Sequence, residues 1–301
     1  MLVVLRVLII LSLLLLPVTS FGAETVKFRH LQSIYLDEKG GSLKLPEGVA
    51  CNDKSPLIVG DTGNNRLLQY TFQEKTLKGG TEIKVPQLSS PIRVQINSKG
   101  ETFALDGKKR RIIRLNPDGS FKGYVDPEEV PSPSAFIPKS FKIDSNDNIY
   151  ILDIFSGRVL VLNAQEKYQK QIPFPQGDGF YTDLAVDFRG NIFLIDSTRL
   201  MLFSAPKEGN SFTPLGGNLK EYLNFPASLT TDPKGTLYVV DENSGGIVIF
   251  GQDGSFLGRQ LSKGWNEGLL RYPSQMCINA QGEGFIADRQ NSRVQIFTLA
   301  K

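Results

Sequence analysis

Short apolar runs recur along the chain at 57–61, 102–106, 149–153, 192–196, 237–241 and 284–288, and each closes on an aspartate: Asp61, Asp106, Asp153, Asp196, Asp241 and Asp288. The steps between these aspartates are 45, 47, 43, 45 and 47 residues. The runs are β-branched and aromatic, too short for helices and bounded by turn residues, so each predicts a buried strand. A polar turn precedes each run, as in Asn97-Ser98-Lys99-Gly100 and Asp232-Pro233-Lys234-Gly235. Asn and Gly there supply positive φ, and Pro presets a turn angle.

Further upstream lies another short strand, opened by Pro46, Pro91, Pro138, Pro226 or Pro273, with Tyr181 or Thr182 in that place in the fourth unit. A proline at a strand's first residue removes no ladder hydrogen bond. Downstream of the aspartate a tight loop leads to a third strand, and four units read Asp-x-x-x-x-Arg: Asp61 with Arg66, Asp106 with Arg111, Asp153 with Arg158 and Asp288 with Arg293. Arg111, as part of this motif, is expected to pair with Asp106. The fourth unit has Arg199 after a shortened loop, and the fifth has Gly246.

Three strands and a more variable fourth, repeated six times, predict an all-β chain folded as a six-bladed β-propeller. The motifs resemble those of the NHL-repeat family, through Pro46-Glu47-Gly48-Val49-Ala50 with Asp61-Thr62-Gly63-Asn64-Asn65-Arg66 and through Tyr272-Pro273-Ser274-Gln275-Met276 with Asp288-Arg289-Gln290-Asn291-Ser292-Arg293. The resemblance covers residues 24–301 and speaks to fold more than to activity, because NHL-like propellers include binding platforms and a few enzymes. The sixth unit runs out after its third strand, whereas the strand-like segment 26–35 precedes the first unit without a repeat of its own. That segment is expected to complete the last blade and remove an open sheet edge.

Residues 1–23 read as a secretory signal peptide: Arg6 near the start, an apolar centre, Pro17, then small residues. The mature chain, 24–301, is then periplasmic or secreted, with no integral membrane segment after cleavage. Export permits a disulfide between Cys51 and Cys277, the only cysteines. Cys51 aligns with Ile278 rather than Cys277, however, so the two side chains are expected on opposite faces of their strands, as free buried thiols.

The strand-opening segments should meet at one mouth of the channel, bringing Glu47, Arg93, Lys139, Asp183, Ser228 and Gln275 together. This ring is polar but mixed in sign. A calcium site needs about six to eight oxygen ligands, usually several from carboxylates, and Arg93 and Lys139 would repel a cation there. A zinc-dependent lyase of the NHL-like group, or a Ser-His-Asp triad, would need histidines near the channel. The chain has one, His30, in the closing strand. The ring therefore implies no metal, no cofactor and no catalytic residue.

Lys108, Lys109 and Arg110, followed by Arg111, form the one dense basic cluster, and Trp265 is the only tryptophan; both fall in loops of the same face. Phe136 and Phe180, in similar loops, are expected to pack between blades. A net charge of +3 argues against nucleic acid. The expectation is a monomeric, non-enzymatic binding or scaffold module for a protein, peptide or glycan. The alternative is a metal-dependent hydrolase or lyase of the lactonase kind at the channel mouth.

Overall fold

A computed structural model describes residues 26–53 and 56–300. The apolar leader expected at residues 1–23 lies outside them. Twenty-four strands form six four-stranded antiparallel sheets, so the chain is a six-bladed β-propeller. The first complete blade is β2 (Gly48–Cys51), β3 (Pro56–Asp61), β4 (Arg66–Gln73) and β5 (Thr76–Ile83). The second strand of every blade is the apolar run read from the sequence, and those strands are almost entirely buried. Among the described residues no helix is long and apolar enough to cross a membrane.

The ring closes as expected. Strand β1 (Lys27–Ile34) pairs antiparallel with β24 (Arg293–Ala300) and gives the last blade the order β1-β24-β23-β22, where β22 is Met276–Ile278 and β23 is Glu283–Asp288. His30 sits half-buried on this outermost strand, its ring edge-on to Phe297.

The six repeat aspartates are fully buried. Each accepts a backbone N–H from the loop that enters its blade: Asp61 from Lys44, Asp106 from Ser89, Asp153 from Ile137, Asp196 from Phe180, Asp241 from Phe225 and Asp288 from Arg271, at 2.6–3.2 Å. A buried carboxylate must be paired or heavily hydrogen-bonded to stay ionised. Arginine partners supply the charge in most units: Arg66 at 2.8 Å, Arg158 at 3.0 Å, Arg199 at 2.5 Å and Arg293 at 2.7 Å. In the fifth unit the guanidinium comes from the fourth strand instead, Arg259 reaching Asp241 at 3.0 Å. Gly246 leaves the space for it: a Cβ there would meet an Arg259 nitrogen at 2.8 Å.

The expected Asp106–Arg111 pair does not form. Asp106 is satisfied by the backbone N–H groups of Ser89, Lys108 and Lys109. Arg111 lies over the Tyr124 ring at 3.7 Å instead.

The expectation of free thiols is also corrected: Cys51 and Cys277 are joined in a disulfide, with their Cα atoms 6.0 Å apart. Neighbouring blades of a ring pack the front of one sheet against the back of the next. Side chains that point to opposite faces of equivalent strands therefore meet across the interface, where both cysteines pack against one apolar cluster with Val49 and Phe285. The bond spans 226 residues of sequence and ties the first blade to the last. A closed loop of that size is expected to stabilise the chain by about 2–5 kcal/mol. Chemical unfolding with and without reductant should show a loss in that range, absent in the Cys51→Ala/Cys277→Ala variant; equal midpoints would contradict it.

Candidate active site at the channel mouth

Pairing of the first and second strands skips one residue in four blades. The register passes from Pro91 to Arg93 in β6 (Pro91–Ile96), from Pro138 to Ser140 in β10 (Pro138–Ile143), from Tyr181 to Asp183 in β14 (Tyr181–Val186) and from Pro226 to Ser228 in β18 (Pro226–Thr231). Such bulges free a residue from the ladder and re-aim its side chain. The skipped residues, Ile92, Lys139, Thr182 and Ala227, all line a cavity of about 190 Å³ at the mouth of the channel. Glu47, Arg93, Phe180, Phe225, Glu242, Ser274 and Arg289 complete its wall.

Beneath the cavity lies a polar plug. Arg93, Ser140, Asp183, Ser228 and Gln275 each stand thirteen residues before their own repeat aspartate, and all are buried. Asp183 accepts hydrogen bonds from Ser140 Oγ at 2.5 Å, Ser228 Oγ at 2.8 Å and the Leu229 N–H at 2.8 Å, with Lys142 Nζ at 3.3 Å. Burial opposes its charge, but Lys142 and Arg93 outweigh that and hold its pKa below the ordinary carboxylate value. Gln275 Oε1 accepts the N–H groups of Val49 and Val94, and its Nε2 donates to the Val94 carbonyl, so it joins three blades. Arg93 reaches across to the Ala227 carbonyl at 3.0 Å. These bonds close the channel below the cavity.

Two titratable groups of the cavity, Lys139 and Glu242, are shifted toward neutrality. Burial pushes the Lys139 pKa down, and the positive charge of Arg93 adds to the shift. The Lys139 ammonium sits 5.4 Å from the Phe180 ring centre. Burial pushes the Glu242 pKa up, against the opposing charge of its ion-pair partner Arg289 and with help from Glu47. A carboxylate raised in this way is a stronger base than an exposed one, and a cation beside it can receive developing negative charge.

Of the residues expected at the channel mouth, Glu47, Arg93 and Lys139 line the cavity, whereas Asp183, Ser228 and Gln275 form the plug below it. Phe180, expected between blades, is 45% exposed on the cavity wall, because its backbone N–H is held by the buried Asp196 carboxylate. Phe136 packs half-buried against an apolar cluster, as expected. Lys108, Lys109 and Arg110 are exposed in their loop, with Lys109 Nζ on the Gln87 carbonyl at 2.7 Å. Trp265 is 69% exposed under the Arg271 guanidinium, 3.8 Å from its ring centre. None of these four joins the cavity. Glu242 and Arg289 were missed from sequence. Each follows its repeat aspartate directly, a position that holds Thr62, Gly107, Ile154 and Ser197 in the other units. A charged residue there, in the loop held by the staple, is the signal that marks them.

The donor set does not suit a metal ion. Glu47 and Glu242 are the only carboxylates on the wall, and they face Arg93, Lys139 and Arg289. Among the described residues no three or more His, Cys, Asp or Glu side chains converge in a way that could hold a metal.

No protein-family model matches the chain, and no curated protein matches its sequence. Solved structures do match its shape. Virginiamycin B lyase from Staphylococcus aureus, a catalytically inactive variant with quinupristin, aligns with a TM-score of 0.64 at 14% identity, covering 91% of this chain and 100% of that one. The gluconolactonase XC5397 from Xanthomonas campestris aligns with a TM-score of 0.65 at 12% identity, covering 92% and 95%. A luciferin-regenerating enzyme aligns with a TM-score of 0.64 at 14% identity, covering 91% and 95%. At these identities the likeness establishes the six-bladed propeller, and these three neighbours are a lyase, a gluconolactonase and a luciferin-regenerating enzyme rather than NHL chains specifically. They overturn the expectation of a scaffold without chemistry. Mixed charge at the mouth had argued for that expectation, but the mixture is a partly buried cavity holding shifted groups rather than a solvated rim.

The plug is a support for the cavity floor, so its central carboxylate should matter to stability. Asp183→Ala leaves Lys142 buried without its partner and is expected to cost about 3–5 kcal/mol in urea unfolding. Adding Lys142→Met should recover part of that loss. An Asp183→Ala protein within about 1 kcal/mol of the parent, below that range, would refute the plug.

Proposed function

We propose that the protein is an exported, metal-independent hydrolase of the lactonase kind, which opens a lactone or ester at the channel mouth. The observation that carries this reading is the pairing of Glu242, raised by burial, with Lys139, lowered by burial, in one cavity. The catalytic propellers of the same shape support it. The NHL-like repeat motif is compatible with it, since chains of that resemblance include enzymes. The apolar leader and the Cys51–Cys277 disulfide support an oxidising compartment, periplasmic or extracellular.

In this mechanism Glu242, as carboxylate, takes a proton from a water molecule whose oxygen attacks the ester carbonyl. The developing oxyanion is met by the Lys139 ammonium, which its burial makes more effective than it would be in bulk water. The carbon–oxygen bond to the leaving alkoxide then breaks, and Glu242 returns its proton to that alkoxide. Arg289 holds the Glu242 carboxylate in place through their ion pair. Phe180 and Phe225 supply apolar wall beside these groups.

The test is turnover of a panel of small lactones and esters in the presence of chelator, in water labelled with oxygen-18. One label should enter the acid product. An unlabelled product carrying a new double bond would make the protein a lyase instead, and no turnover of any panel member would sink the reading. Activity needs Glu242 ionised, so it should rise with pH through that group's raised pKa. It needs Lys139 charged, so it should fall as pH passes through the lowered pKa of that group. Glu242→Gln is expected to lose roughly 10²–10⁴-fold in kcat and the acidic limb of the profile, and Lys139→Met the basic limb. An unchanged profile in both variants would exclude these roles.

A further inference from the structure

Single apolar side chains in solvent need no explanation, but several grouped beside a cavity mark a binding surface. Ile154 and Phe155, in the loop after Asp153, are 44% and 58% exposed, and Phe180 on the cavity wall is exposed as well. Local contacts bring the three to one side of the mouth. The Ile154 N–H donates to the Ile137 carbonyl at 3.1 Å, just before Lys139 in the chain. The Phe174 N–H donates to the Gly157 carbonyl at 2.8 Å, and the Phe174 ring centre lies 4.6 Å from that of Tyr181, the neighbour of Phe180. The loop 154–157 is thereby held between the segment that carries Lys139 and the connection that carries Phe180. The Lys139 ammonium itself faces the Phe180 ring.

The rim position directly after the aspartate separates the two sides of the mouth. In the fifth and sixth units it holds Glu242 and Arg289, both on the cavity wall; in the third it holds Ile154. Glu47, Glu242 and Arg289 make one side charged, whereas Ile154, Phe155 and Phe180 make the side beside Lys139 apolar. At about 190 Å³ the cavity is smaller than the roughly 300–1,000 Å³ that encloses a drug-sized ligand. It has room for a reacting ester group, and whatever extends from that group lies over the rim. Glu242 returns its proton to the leaving oxygen, so the alcohol part faces the charged side. The acyl part, whose oxygen Lys139 meets, faces the apolar side.

We propose that Ile154, Phe155 and Phe180 form a ledge for an apolar arm on the acyl part of the substrate, which is therefore an ester or lactone of an acid with an extended aliphatic chain. The word substrate rests on the hydrolase reading above; the ledge as a binding surface does not. Full burial of a methylene strengthens binding about fourfold, and a ledge that covers one side of the chain gives about twofold.

The test compares kcat/KM for the ethyl esters of acetic, butyric, hexanoic and octanoic acids with that for the acetate esters of the matching alcohols. The acyl series should rise by about two- to fourfold per methylene, and the alcohol series should stay flat. Ile154→Ser/Phe155→Ser should flatten the acyl series. Phe155→Ser alone should lower its slope, and keeps the test valid if the double variant fails to fold. Calorimetry with the N-methyl amides of the same acids reads binding without turnover, and their affinity should rise with chain length in the parent and not in the double variant. A flat acyl series with flat amide binding, equal slopes for acyl and alcohol chains, or a slope unchanged in both variants would overturn the proposal. Chain-dependent amide binding that the variants lose, without turnover of any ester, keeps the ledge and removes the hydrolase; turnover indifferent to the acyl chain does the reverse.

Discussion

A buried carboxylate that must find donors organises this protein. Each repeat aspartate sits fully buried at the end of its strand and cannot stay charged there alone. It draws in the backbone of the loop that arrives from the previous blade, and that loop is thereby fixed at the channel mouth. The contact is often reciprocal. The residue after the aspartate donates its own N–H back to the same loop, as Gly107 does to Ser90, Ile154 to Ile137, Ser197 to Phe180 and Glu242 to Phe225. Six such staples turn irregular connections into a rigid rim.

The consequences for chemistry follow from position. In the fifth unit the residue after the aspartate, Glu242, is set at the rim by the returning hydrogen bond to Phe225; in the sixth, Arg289 lies between Asp288 and Gln290, whose N–H makes the return to Arg271. At the second residue of the first strand, in four of the blades, a bulge turns Ile92, Lys139, Thr182 or Ala227 out of the ladder toward the same space. Below, the Asp183 network and Gln275 close the channel, so the cavity has a floor. At the opposite end a larger opening of about 510 Å³ is lined by Cys51, Ile96, Ile143 and Ile278. The aspartates around it, Asp144, Asp187 and Asp232, cap the N–H groups of their own turns. The shifted pair Lys139 and Glu242 falls on the closed side.

Much of this fold was legible because its signals are local. Six apolar runs, six aspartates and a spare strand at the start specify six blades and a shared closing sheet without any knowledge of neighbours. The depth of the candidate residues was not legible. Lys139 and Asp183 fall in similar stretches of the repeat, yet a one-residue bulge puts the first on the cavity wall and the second in the plug. The disulfide was not legible because opposite faces of equivalent strands meet only where successive sheets pack together. Arg111 left its motif because backbone N–H groups already satisfied Asp106 and the Tyr124 ring offered a face. Such outcomes depend on which groups arrive first at a shared partner, and a linear pattern does not record that competition.

The central claim is that the stapled rim desolvates Glu242 enough to make it basic. Carbon-13 NMR titration of the glutamate carboxyl groups, with Glu242→Gln to assign the signal, measures this directly. The account predicts a Glu242 midpoint above the ordinary glutamate range, shifted up further when Arg289 is replaced by Gln. A midpoint at or below the ordinary range in the intact protein would contradict it.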